Sequence, residues 1–312
     1  MRIFITGISG FVGAGLARGL LGDGAEVHGL VRPSSNLWRL ADIRDRLHLH
    51  SGDLLDAESM RAALHAARPD ALFHLGVYGA YPTQKDKNTI VRTSLLATMD
   101  LLDMAKEAGV GIIVNTGSSS EYGTKNHPMR EDEIIEPNGY YAVGKAAQTL
   151  YCQQFAREEK IPVITLRLFS VFGPYEEPTR FIPTLISNAL ANKDIPLANA
   201  STARDFVYLD DCVEAYRLAA RHPELSEHIF NVGSGVQHTI KEAFDEVVAL
   251  SGSASRPLIG AYEGRDFDTS IWVADMDKTR SELGFSPRYT FPEGLRATMD
   301  WFKTHGDQTY TH

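Results

Sequence analysis

A chain of 312 residues, 43% of them hydrophobic, is long enough to bury a large core and fits one large α/β unit or two fused lobes. Its formal charge of −9 comes with no long basic run, so the phosphate-neutralising stripe that nucleic acid demands is missing and no nucleic-acid partner is expected. Cys152 and Cys212 have neither metal-ligand spacing nor a disulfide framework, no apolar run nears the roughly 18 residues of a membrane span, and no secretory leader is seen; the expectation is a cytoplasmic protein without a membrane partner.

Short apolar runs alternate with longer amphipathic segments through the first half, the pattern of a parallel sheet covered by helices on both faces. Strands are predicted over residues 2–6, 25–31, 47–51, 71–75, 111–116 and 163–168, and helices over 11–21, 57–67, 89–108 and 140–159. The expected fold class is α/β with a doubly wound parallel sheet. After Phe169, Pro174, Pro178, Pro183, Pro196, Pro223, Pro257, Pro287 and Pro292 punctuate shorter elements. Residues 1–168 are therefore expected to bind a dinucleotide and residues 169–312 to form a smaller substrate lobe, with a ligand cleft between them.

The first strand runs into Thr6-Gly7-Ile8-Ser9-Gly10-Phe11-Val12-Gly13, which opens the first helix. Glycines let the backbone turn tightly and approach a pyrophosphate, and the unpaired amides of a helix start supply donors, so Gly7, Gly10, Phe11, Val12 and Gly13 are candidate cofactor contacts. The second strand ends in Val31-Arg32-Pro33-Ser34-Ser35-Asn36, with no acid to accept from a ribose 2′-hydroxyl. Arg32 is the candidate partner of a 2′-phosphate, which favours NADP over NAD. Asp53, after the third strand, is a candidate acceptor for the adenine amino group or, equally, a turn cap; Leu54 and Leu75 join it as candidate cofactor contacts.

His74 ends the fourth strand with no second ligand at a recognisable spacing, so it is read as a histidine satisfied by backbone contacts and no metal site is expected. The segment from Gly76 to Pro82 follows, with Tyr78 and Tyr81 as candidate sugar contacts or packing aromatics. The fifth strand ends in Asn115-Thr116-Gly117-Ser118-Ser119-Ser120-Glu121-Tyr122-Gly123, whose hydroxyls stand where a doubly wound sheet meets its cofactor. Glu131-Asp132-Glu133 reads as a solvated loop. Tyr141 and Lys145 lie four apart on one helix face, where an ammonium helps a phenol release its proton and so serve as a general acid or base.

The opening glycines, the serine-rich strand end leading into Tyr122-Gly123, and Tyr141-x-x-x-Lys145 together resemble the extended short-chain dehydrogenase/reductase family acting on nucleotide sugars. Arg167-Leu168-Phe169-Ser170-Val171-Phe172-Gly173-Pro174, Arg204-Asp205-Phe206-Val207-Tyr208-Leu209-Asp210-Asp211, Arg265-Asp266-Phe267-Asp268 and Leu283-Gly284-Phe285-Ser286-Pro287 extend the likeness over nearly the whole chain. The resemblance implies a Rossmann fold and a catalytic Ser118, or Ser119 if the alignment slips by one, with Tyr141 as acid/base and Lys145 on the nicotinamide ribose. It implies a nucleotide-sugar substrate held by Tyr78, Ser119, Ser120, Ser170, Arg180, Pro183, Arg204 and Arg265, and a homodimer built through helices 89–108 and 140–159.

Family chemistry spans dehydratases, epimerases and reductases. A 4,6-dehydratase of this kind needs an acid beside the catalytic hydroxyl, where Ser119 and Ser120 stand here and Glu121 is one position off. Arg32 tilts the remaining choice toward an NADP(H)-dependent 4-ketosugar reductase over a 4-epimerase with tightly held NAD. Serine in place of the family's frequent asparagine at Ser170 changes the expected hold on the sugar.

Overall fold

Residues 1–81, 83–261 and 269–309 are described by the computed structural model. The first half follows the predicted alternation: β1 (Arg2–Thr6), α1 (Phe11–Gly22), β2 (Glu26–Val31), β3 (Leu47–Ser51), α2 (Ala57–Ala67), β4 (Ala71–His74), α3 (Lys87–Val91), a π segment (Arg92–Leu96), α4 (Ala97–Glu107), β5 (Ile112–Ser118), α5 (Tyr140–Glu159) and β6 (Val163–Leu168). Ile3, Phe4 and Ile5 are all fully buried, as a strand covered on both faces requires. Asp56 caps α2 by accepting from the Glu58 and Ser59 amides.

The second half contributes β7 (Ser170–Phe172), α6 (Phe181–Leu190), β8 (Ile195–Leu197), β9 (Ala203–Tyr208), α7 (Leu209–Arg221), β10 (Ile229–Val232), β11 (Gln237–Thr239), α8 (Ile240–Ser251), β12 (Pro257–Ile259) and α9 (Phe291–Thr309). Seven strands form one parallel sheet in the order β10-β6-β5-β4-β1-β2-β3. The winding reverses at β1, flanked by β2 and β4, and that switch point opens a crevice at the carboxyl ends of β1 and β4. This is the doubly wound α/β, Rossmann-type sheet that the alternation predicts. One face buries Ile3, Ile5 and Phe73 with Leu16 of α1 and Leu209 and Val213 of α7. The other buries Phe4, Leu72 and Ile113 against Met60 of α2, Leu101 of α4 and Phe155 of α5.

Two differences from the predicted elements bear on the site. The helix expected over 89–108 begins at Lys87, capped by Asp86, and passes through the π segment, which brings the buried Ser94 and Thr98 in toward the sheet. The chain after residue 169 does not stay in a second lobe. α7 packs on the first lobe's core, and β10 pairs parallel to β6, a four-residue strand too short to stand out between Pro223 and Gly233.

The remaining second-half elements form the smaller lobe. β7, β9 and β11 make one sheet and β8 and β12 another, around a core of Phe172, Leu185, Ile186, Phe206, Phe244, Leu295 and Phe302. Asp205 on β9 is completely buried and accepts from the Ser234, Gly235 and Ala274 amides and the Ser234 hydroxyl. Asp211 accepts from the Arg288 and Tyr289 amides, so two acids of the second-half motifs are structural knots. No described helix is long and apolar enough to cross a membrane.

Candidate active site

The glycine turn is built for close backbone approach. Gly7 sits at φ +72°, a conformation L side chains rarely adopt, and a Cβ there would meet the Leu75 and Gly76 backbone. A Cβ at Gly13 would overlap the Gly7 carbonyl oxygen. Gly10 caps α1 without any side-chain hydrogen bond, and no acid occupies the first turn. The first amides of α1 therefore remain available to an anion, and Phe11 and Val12 lie in that turn. These residues fit the pyrophosphate of a dinucleotide.

Next to this turn, a relay of hydroxyls holds the end of β4. The Gly76 amide donates to Thr6 Oγ1, 3.1 Å away, which pairs at 2.7 Å with His74 Nδ1. His74 Nε2 pairs at 2.9 Å with Thr98 Oγ1, which in turn donates to the Ser94 carbonyl. One consistent assignment makes His74 the Nε2–H tautomer with both nitrogens satisfied. Burial, helped by the Lys145 charge, lowers its pKa to about 3. His74 is thus satisfied by side-chain hydroxyls and not by the backbone contacts expected from sequence.

The end of β5 turns into a short 3₁₀ helix because Ser118 and Glu121 form a capping box. Ser118 Oγ accepts from the Ser120 amide while the Ser118 amide donates to Glu121 Oε1 at 2.7 Å. The second Glu121 oxygen accepts from Arg167 Nε at 2.8 Å. Both side chains are almost completely buried, and the guanidinium also lies over the Tyr122 ring, 4.5 Å from its centroid. Glu121 and Arg167 are the residues sequence reading missed as organisers of this turn; the Ser-x-x-Glu spacing was the signal.

The three serines separate. Ser119 is buried and its hydroxyl accepts from the Trp272 indole N–H at 3.1 Å. Ser120 Oγ pairs with Ser118 Oγ at 2.8 Å. Ser118 is the one that meets Tyr141. Burial raises the Tyr141 phenol, while the hydrogen bond with Ser118 and the charge of Arg180 pull it back down.

Lys145, one turn along α5, is buried and donates from Nζ to the Thr116 carbonyl at 2.8 Å and to Gln148 Oε1 at 3.1 Å. Gln148 is fixed by donating to Asn115, which donates to Thr165. Burial lowers the Lys145 pKa to about 8, so the group still carries its charge at neutral pH.

From the second lobe, Arg180 immediately precedes α6, donates to the Ala80 carbonyl at 3.1 Å and lies over the Tyr81 ring. It therefore brings a cation to the Tyr141 side of the cleft; Tyr78 is half-buried. Ser170 is half-buried at the start of β7, and Pro183 is buried in the first turn of α6, where its missing N–H costs no helix bond. Arg204 lies over the Trp272 ring and donates to the Ala203 carbonyl. Arg265 falls outside the described residues.

At the far end of the crevice, Arg32 is exposed just past β2, in a turn where its amide donates to Ser35 Oγ at 3.1 Å. Its guanidinium makes no hydrogen bond or ion pair among the described residues. Asp53 accepts from the Leu55 amide at 2.9 Å, a turn-capping use that leaves its second oxygen for another donor. Leu54 packs against Gly76, next to the buried Leu75. Glu131 departs from the solvated loop expected for 131–133, since it accepts from the Asn231 amide and the Thr279 hydroxyl.

A phenol and a hydroxyl in contact, an ammonium one turn away and an anion cradle across the crevice can bind a dinucleotide and move one proton to or from a carbonyl oxygen. The sequence model of the "NAD dependent epimerase/dehydratase family" matches residues 3–233. A UDP-glucose 4-epimerase of Mycolicibacterium smegmatis is 29% identical over 97% of this chain and 99% of its own length. A dTDP-glucose 4,6-dehydratase of Streptomyces niveus is 28% identical over 97% of this chain and 93% of its own. The structure of UDP-glucuronic acid 4-epimerase from Bacillus cereus, in complex with UDP-glucuronic acid and NAD, superposes with a TM-score of 0.86 at 25% identity, covering 97% of this chain and 99% of that one.

Proposed function

The chain belongs to the NAD dependent epimerase/dehydratase family, and from that premise we propose that it is an NADP(H)-dependent oxidoreductase that reduces the 4-keto group of a nucleotide-activated sugar or deoxysugar. Enzymes named for nucleotide-sugar substrates cover this chain almost end to end, and NAD is bound in a solved relative, which supports the nucleotide sugar and the nicotinamide cofactor. When bound, the nicotinamide supplies the hydride. Tyr141 gives its proton to the carbonyl oxygen, Ser118 hydrogen-bonds the same oxygen, and the charge of Lys145 favours the phenolate that is left. Arg180 and Arg204, with Arg265, are suited to the substrate diphosphate.

The observation that carries the reductase reading is Arg32, exposed and unengaged where a carboxylate would hold the ribose of NAD. Against dehydration stands Glu121, the acid nearest Ser118 in sequence, which is committed to Arg167 and to the Ser118 amide. A second reading, a 4-epimerase that retains NAD, is favoured by the likeness to the epimerases. The exposed Val91, Leu96, Val143 and Leu150 on α3, the π segment and α5 support the homodimer as part of either reading.

Release of bound nucleotide by denaturation, with titration by NADPH and NADH, decides between them. A reductase exchanges its cofactor, prefers NADPH, and loses roughly ten- to hundredfold in NADPH affinity in Arg32→Asp, the worth of a charge-assisted phosphate contact. One equivalent of NAD that does not exchange would make the epimerase the better reading.

A further inference from the structure

β3 is the edge strand of the large sheet, and its start lies beside the start of β2. The register pairs His28 with His48, and His50 follows two residues along β3. Because side chains alternate along a strand, Glu26, His28, His48 and His50 project from the same face. The His28 ring is buried, stacked on His48 at 4.7 Å and 20°, and lies edge to edge with His50, the two rings within 17° of coplanar and their centroids 5.2 Å apart. Its Nε2 lies 2.9 Å from Glu26 Oε1, and its Nδ1 lies 2.9 Å from His50 Nε2. One ligand atom each from Glu26, His28 and His48 falls within 4.8 Å of the others.

We propose that Glu26, His28 and His48 form a binding site for Zn²⁺ or a divalent transition ion of similar size, with His50 orienting His28. Two imidazoles and a carboxylate, without thiol, suit such an ion, and water completes four-coordination. Donors around tetrahedral Zn²⁺ stand about 3.3 Å apart. The Glu26–His28 pair is already near that spacing, and both Glu26 and His48 are exposed, free to turn the remaining distance.

The contact with His50 is what a ligating histidine needs. With His28 Nε2 on the ion, its Nδ1–H donates to His50 Nε2, fixing ring and tautomer.

The cluster differs from the other histidine–carboxylate contacts. His127–Glu133, His222–Glu224 and His228–Glu282 are simple pairs; this is the only group among the described residues in which three potential ligands converge. It also lies at the amino ends of its strands, whereas Arg32 and Ser118 lie at the carboxyl ends, so the ion clamps an edge strand to its neighbour and takes no part in the redox site.

The test uses tag-free protein, stripped with a chelator and dialysed, then titrated calorimetrically with Zn²⁺ and by visible absorption with Co²⁺. The expected result is one ion per chain at micromolar or tighter affinity, with Co²⁺ bands that Zn²⁺ displaces. His48→Gln and Glu26→Gln, both at exposed positions, weaken binding at least tenfold, and His127→Gln leaves it unchanged. Circular dichroism of the metal-free variants checks that they fold. Absence of saturable one-to-one binding in the wild type, a loss below tenfold in both cluster variants, or loss in His127→Gln overturns the proposal.

Discussion

The Ser118 amide donates to one oxygen of the Glu121 carboxylate at 2.7 Å, and the other oxygen of that carboxylate holds Arg167 at 2.8 Å. The turn that presents the Ser118 hydroxyl is therefore anchored on an ion pair inside the protein. Glu121→Gln should destabilise the fold by about 3–5 kcal/mol, because Arg167 is left buried without its counter-charge. Replacing both, as Glu121→Leu with Arg167→Met, should cost less than either single change. Urea unfolding of the three variants measures this, and a loss below about 1 kcal/mol for Glu121→Gln would refute the anchor.

Tyr141→Phe removes the acidic proton but keeps the ring against Gly79. Turnover should fall by roughly 10²- to 10⁴-fold, the usual worth of a positioned general acid, while dinucleotide affinity changes less than about twofold. Steady-state kinetics with a fluorescence titration of the cofactor separates the two effects. Turnover at the wild-type rate would exclude Tyr141 as the proton donor.

Acid should destabilise the protein partly through His74. Its folded pKa of about 3 lies below the ordinary 6.5, so as pH falls the unfolded chain takes up a proton first. The stability contributed by the neutral buried ring is full above pH 6.5 and is lost as pH drops toward 3. Relative to His74→Asn, which has no proton to gain, the wild type should lose about 1.4 kcal/mol more per pH unit below pH 6. Denaturant melts of both proteins between pH 4 and pH 7 give the slopes, and parallel lines would contradict the assignment.

Gly13→Ala inserts a methyl into the Gly7 carbonyl, backbone against backbone, with no flexible side chain to yield. A cost of about 1–3 kcal/mol follows from overpacking. Dinucleotide affinity should drop at least about tenfold as α1 moves off the turn, because the helix amides lose their aim. Calorimetric titration beside a thermal melt reads both, and unchanged affinity in a folded variant would remove the pyrophosphate from this turn.

The sequence by itself determined the parallel sheet, its glycine turn, and the Tyr141–Lys145 pair. Each of these is written in local spacing: apolar runs of strand length, glycines at a strand-to-helix junction, and two residues one helical turn apart. Even Glu121 was legible in principle, since the capping box is a four-residue pattern.

What spacing cannot carry is the choice among chemically equal side chains. Ser118, Ser119 and Ser120 read alike in the chain, and they part in the fold, where Tyr141 meets Ser118 and Trp272, more than 150 residues away, takes the Ser119 hydroxyl. Arg180 reaches the Tyr141 side of the cleft only when the second lobe folds over the first, and β10 joins the large sheet only because β6 offers it an open edge. Glu26 and His28 meet His48 through strand register alone. These pairings join residues distant in the chain, whose contact is fixed by how buried surfaces and backbone hydrogen bonds close in three dimensions, and so the tertiary structure alone decided them.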